Sequence, residues 1–169
     1  LPLGGDLRTE DFRTREAMFE CMWYARRFMQ ENLPFWEMVP ADGLLTGEAS
    51  DFGGGEVFAK AGQIYAIYLP NANPPGTLNL NGIVGEFTLQ WYNPRNGLFV
   101  GNTRIINGGS SVTLGPPPNN ENGDWVVLIK RPFSCPRVAT AAETSAAPAT
   151  SALSSEAYQL FLPNIIRQC

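Results

Sequence analysis

The sequence predicts an all-β fold: an antiparallel β-sandwich preceded by one long amphipathic α-helix and followed by a flexible C-terminal tail. Three observations predict it. Between Glu56 and Lys130, short runs rich in Val, Ile, Leu, Phe, Tyr and Thr are separated by turn-forming clusters. These are Gly62, Asn73-Pro74-Pro75-Gly76, Asn93-Pro94-Arg95-Asn96-Gly97, Asn107-Gly108-Gly109 and Pro116-Pro117-Pro118. About seven or eight strands punctuated in this way indicate a sandwich. Ahead of them, Met18, Cys21, Met22, Ala25, Phe28 and Met29 recur at helical spacing. Behind them, ATAAETSAAPATSALSS has small residues, almost no charge and no periodicity, the composition of a flexible linker.

In chain order, LPLGGDLR reads as a loop. Thr9 is placed to cap a helix whose first turn carries Glu10 and Asp11, favourable against the helix dipole. Phe19 and Trp23 widen the apolar stripe, while Arg13, Glu16, Glu20, Arg27 and Glu31 fill the other side. Asn32 and Pro34 end the helix. One helix cannot bury so broad an apolar face alone, so it must pack on the following strands or on a domain outside this chain. Cys21, within this stripe, reads as a buried, inert thiol.

Residues 34–47 (PFWEMVPADGLLTG) read as an aromatic, Pro-rich connector. The strands are expected at 56–60, 63–69, 77–80, 86–92, 98–100, 103–106, 111–114 and 124–130. Phe87, Leu89 and Trp91 alternate with Thr88, Gln90 and Tyr92, so that strand has one face in the core. Trp125 to Ile129 is apolar on both faces and should form a central strand. The chain closes on YQLFLPNIIRQC, an apolar cluster broken by Pro163 and too short to cross a bilayer.

Composition narrows the chemistry. There is no histidine, which removes the usual base at neutral pH and the usual metal imidazole. The net charge is −4 and no Lys/Arg cluster exists, so nucleic-acid binding is not expected. Cys21, Cys135 and Cys169 are too far apart for a CxxC-type metal site; Cys135 and Cys169 could pair if the protein is exported. No metal or other cofactor is expected. The chain begins without Met and without a charged-then-apolar leader, and is expected to be the end of a longer, secreted polypeptide.

The order VFAKAGQIYAIYLPN, TLNL, FTLQWYNPRNG and DWVVLI resembles a collagen-binding-domain family. Its members follow glycoside-hydrolase-like, apiosidase-like (β/α)8 barrels in bacterial proteins. The upstream DFRTREAMFECMWYARRFMQENLPFWEMVPADGLL is similar to the last barrel helix and connector of the same proteins. The resemblance implies a terminal barrel-type helix (1–33), a connector (34–47) and a β-sandwich domain (48–131), while the composition after residue 131, outside the resemblance, implies a disordered tail (132–169). It implies a partner, the catalytic barrel of the same polypeptide, and an extracellular setting.

Glycoside cleavage needs two carboxylates held rigidly across one bond. Glu37, Asp42, Glu48, Asp51, Glu56 and Glu86 fall in loops or at strand edges, so no catalytic residue is assigned. Trp36, Tyr65, Tyr68, Trp91, Tyr92 and Trp125 raise a second idea, an aromatic platform for a sugar ring. Alternation puts Trp91 in the core and Tyr92 on the opposite face. The candidate ligand-binding residues are therefore Tyr92, with Arg95 and Asn96 in the adjacent turn, and Trp36 in the connector. On this reading truncating Tyr92 costs little stability and truncating Trp91 costs much. A hairpin turn accounts for Asn96-Gly97 without a ligand.

Three functions compete: an accessory domain that stabilises a glycosidase barrel, an independent polysaccharide- or collagen-binding module, and an autonomous enzyme, the weakest. Exposed apolar area on the Met18–Met29 helix favours the first; a row of exposed aromatics on one sheet face favours the second.

Overall fold

The computed structural model describes residues 15–120 and 123–132. Thr9, Cys135, Cys169 and the Ala/Ser/Thr-rich tail lie outside the described residues. Helix α1 (Glu16–Asn32) is followed by nine strands among the described residues: β1 (Val39–Pro40), β2 (Leu45–Glu48), β3 (Glu56–Lys60), β4 (Ile64–Leu69), β5 (Pro75–Asn79), β6 (Glu86–Asn93), β7 (Leu98–Asn107), β8 (Ser111–Thr113) and β9 (Trp125–Lys130). They form a six-stranded sheet in the order β1-β3-β4-β9-β6-β7 and a three-stranded sheet in the order β2-β5-β8. All pairings are antiparallel. The expected all-β sandwich with one preceding helix is the observed architecture.

Period-2 alternation decides the layers. Tyr65, Ile67 and Leu69 of β4, Phe87, Leu89 and Trp91 of β6, and Trp125, Val127 and Ile129 of β9 face the small sheet, where Leu45, Leu78 and Leu114 meet them. Trp91 packs edge-on against Trp125, ring centroids 5.9 Å apart, and Tyr65 against Phe87 at 6.2 Å. The hydroxyl of the fully buried Tyr65 accepts a hydrogen bond from the Gly62 N–H at 2.7 Å, which removes the cost of burying a lone polar atom.

The intervening residues of the same strands, Ile64, Ala66, Tyr92, Val126 and Leu128, form a second apolar cluster with Phe28, Leu33 and Met38. This cluster lies on the outer face of the large sheet. Both faces of β9 are thus buried, and the strand is central, between β4 and β6.

Three readings of the sequence need correction. The connector at 34–47 contributes two strands, so the sheets begin at Val39. β1 pairs with β3 and β2 with β5; segments this short take their form from their partners. The strands read at 98–100 and 103–106 are one strand, β7. The β6–β7 register shifts between Leu89 and Trp91, and Gly101, at φ 76°, takes the backbone through this irregularity, a conformation that suits glycine. Cys21 is exposed, as are all the helix residues from Glu16 to Met22.

Candidate functional site

The outer face of the large sheet carries the helix. α1 ends where Asn32 and Pro34 predict: the Leu33 N–H donates to the Met29 carbonyl, and Leu33 is extended, as a residue before proline prefers. Of the helix, only Phe28 is fully buried. It stacks against Tyr92 at 4.6 Å and lies 6.2 Å from Phe99. The Tyr92 hydroxyl donates to the Tyr24 carbonyl at 3.0 Å. Burial holds the Tyr92 hydroxyl above its ordinary pKa, since the phenolate would lose its water.

The β6–β7 turn completes the seat. The Gly97 N–H donates to the Asn93 carbonyl at 2.9 Å, the Asn93 Oδ1 accepts from the Arg95 N–H, and the Asn96 Oδ1 accepts from the Leu98 N–H. Gly97 has φ 71°, and a Cβ there would enter the Tyr24 ring. Gly97 therefore serves both the turn and the approach of the helix.

The candidate ligand residues separate once placed. Tyr92, only 4% exposed, faces α1. Arg95 turns to the end of the sandwich, where it pairs with Asp124 at 3.3 Å and stands over the Trp125 ring at 5.2 Å. Asn96 is exposed and its side chain braces the turn. Trp36 is 73% exposed on the turn after α1, edge-on to Phe35 at 5.2 Å. The hairpin thus brings Tyr92, Arg95 and Asn96 close in sequence but aims them apart, and Trp36 belongs to a different surface. Tyr92 is packed rather than displayed, which overturns the expectation that its truncation is cheap. Of the other aromatics considered, Tyr65, Trp91 and Trp125 are buried in the inter-sheet core and Tyr68 is 41% exposed.

The helix does not seal the face. A cleft of about 440 Å³ runs between α1 and the sheet, with Phe58, Ala66, Tyr68, Tyr92 and Val126 as its floor. Ala25, Phe28 and Met29 form the helix wall, and among the described residues Asp42 and Glu56 are the charged ones that line it. The Asp42 Oδ1 accepts the Val57 N–H at 2.7 Å, which fixes that carboxylate at the rim. Tyr68 has its hydroxyl pKa raised, first by burial and then by the Asp124 charge. Sequence reasoning passed over this cleft. Its signal was present in Phe58, Ile64, Ala66 and Tyr68, apolar residues on the side of β3 and β4 away from the inter-sheet core.

Beyond the cleft α1 keeps a second apolar side. Met18, Met22, Ala25 and Met29 share one side of the helix at its 3.6-residue period, and Phe19 and Trp23 flank it. Met18, Phe19, Met22, Trp23 and Met29 are between 42% and 60% exposed, although single surface helices normally turn such residues inward. No helix among the described residues is long and apolar enough to cross a membrane.

A model of the family described as "putative collagen-binding domain of a collagenase" matches residues 39–130, from the first strand to the end of the last. The chain belongs to that family. Its fold resembles part of a solved glycoside hydrolase family 5 protein from Bacteroides vulgatus ATCC 8482, with TM-score 0.52 and 19% identity, covering 67% of this chain and 24% of that one. A second solved structure, described as a glycoside hydrolase, matches with TM-score 0.46 and 16% identity, covering 65% of this chain and 24% of its own. This chain therefore spans about a quarter of either structure's length. No curated protein matches the sequence. Within the family assignment, residues 15–38, which include α1, lie ahead of the matched span.

Proposed function

We propose that this chain is a non-catalytic, C-terminal accessory module of a secreted glycoside-hydrolase-like protein, and that it packs on the catalytic barrel of the same polypeptide. The observation that carries the reading is the uncovered apolar side of α1. Five large apolar side chains in water forfeit burial that would be worth about 25 cal/mol per Å², and contiguous exposed apolar area of this kind marks an interaction surface. The glycoside hydrolase family 5 protein that shares the fold supports the class of partner. Three of the candidate carboxylates support the non-catalytic reading: Glu37 pairs with Lys60, Asp51 accepts from Asn71 and Asp42 accepts a strand N–H. They hold turns and edges together, not a bond between two acids.

The test is the thermal midpoint of the purified chain with and without the barrel produced from the upstream reading frame. A partner that binds only the folded state raises the midpoint. A rise that is lost with Met22→Glu is the expected result, together with no hydrolysis of aryl glycosides by the chain alone. No rise, or a reading frame without a barrel, overturns the proposal.

The exposed Phe35–Trp36 pair and the family's own description favour one other reading, an independent polysaccharide- or collagen-binding module. Binding of the isolated chain to either polymer, abolished by Trp36→Ala, would establish that reading instead.

A further inference from the structure

We infer that the cleft between α1 and the large sheet receives a surface segment of the catalytic barrel in which a large apolar side chain stands next to a lysine or arginine. This deepens the docking reading above and rests on it. The cleft has the volume of a ligand-sized cavity. Apolar walls left without partner atoms lose dispersion contacts outright, so the chemistry of the floor asks for an apolar occupant. Phe58, Tyr68 and Tyr92 supply aromatic rings to it.

The position of the cleft says which body supplies that occupant. Ala25 and Met29 belong both to the cleft wall and to the uncovered side of α1 with Met18 and Met22. Any surface that lies along this side of the helix also roofs the cleft, so the two are one footprint.

The rim gives the occupant its charge. Asp42 and Glu56 line the cleft and, among the described residues, no basic one does. Of the cations on the neighbouring elements, Arg27 pairs with Glu31 and Lys60 with Glu37. A basic residue beside the apolar anchor would compensate the two carboxylates, and an acidic one would be repelled at short range. The aromatic floor also suits the cation, through the ring faces and along its aliphatic stem.

The experiment measures the affinity of the full chain for the barrel from the upstream reading frame, at two salt concentrations. Glu56→Lys reverses the rim charge at an exposed position, Ala66→Phe fills the cleft from its floor, and Met22→Glu disrupts only the helix stripe. Thermal melts of each variant alone confirm folding; if Ala66→Phe does not fold, Glu56→Lys decides. The expected result is about a tenfold or larger loss of affinity for Glu56→Lys, with a weaker salt dependence, and a comparable loss for Ala66→Phe. If Met22→Glu weakens binding while the two cleft variants bind as the parent does, docking stands and the cleft inference falls. If the parent chain does not bind the barrel, both fall. Self-association of the chain that Ala66→Phe abolishes would assign the cleft to a second copy and overturn the inference.

Discussion

The two faces of the large sheet are made by the same strands and differ in kind. Toward the small sheet, β4, β6 and β9 present Tyr65, Ile67, Phe87, Leu89, Trp125 and Val127, all at most 1% exposed. Toward α1 the same strands present Ala66, Val126 and Tyr92, smaller on average, and a helix touches them mainly through Phe28 and Tyr24. The inner interface closes on itself with interlocked rings. The outer one is partly filled, is notched by a cleft and continues onto an uncovered helix. On the proposed reading, the inner face carries the fold and the outer face carries the association.

The largest effect expected from this contrast is in the inner core. Trp91→Ala removes a ring that packs on Trp125 and should lower unfolding free energy by about 3–5 kcal/mol in denaturant titration, as large-to-small aromatic changes do. Loss of under about 1 kcal/mol would mean that the inner face is not closed.

Next comes the helix seat. Phe28→Ala should cost about 2–3 kcal/mol when read by unfolding. Because the seat is an outer layer, amide exchange should accelerate in α1 well before it does in β9. Equal acceleration in both would make helix and sandwich one cooperative unit and erase the distinction drawn here.

The smallest effect is electrostatic. The hydrogen bond and charge from Lys60 hold the Glu37 carboxyl below its ordinary value of 4.5. A carboxyl lowered in the folded state contributes stability above its unfolded pKa and loses it as pH falls through the folded one. Glu37→Gln should therefore lower the midpoint slightly at neutral pH and flatten by the same small amount the decline in stability below pH 4.5. The pair is exposed and the contribution correspondingly small. An unchanged acid slope in the variant would remove the pair from the account.

The contrast between the two faces also explains what could be read in the sequence. Period-2 alternation in β6 and the doubly apolar β9 gave the inner core and the central strand without structure. Pro34 and the Asn93–Gly97 turn gave the end of α1 and a hairpin. What could not be read is what depends on a third layer. Alternation places Tyr92 opposite the core, and only the position of α1 decides whether that side is wet. Likewise Val39–Pro40 and Leu45–Glu48 have no strand signal of their own; β3 and β5 impose it. The cleft requires both unknowns at once, the seat of the helix and the line of β1 and its neighbours, and no local pattern of Phe58 or Tyr68 encodes where those elements fall.

The place of β9 carries a consequence for biosynthesis. It is the last strand among the described residues, yet it stands between β4 and β6 in the six-stranded sheet. As the chain emerges from the ribosome, the β3–β4 and β6–β7 hairpins can each form, but no hydrogen-bonded ladder joins β4 to β6. Each keeps an open edge, the kind of edge that recruits other chains. Joining them requires contacts far apart in sequence, which form slowly. Until Trp125–Lys130 can pair, β4 and β6 each expose an edge open to other chains, and docking of β9 closes both at once.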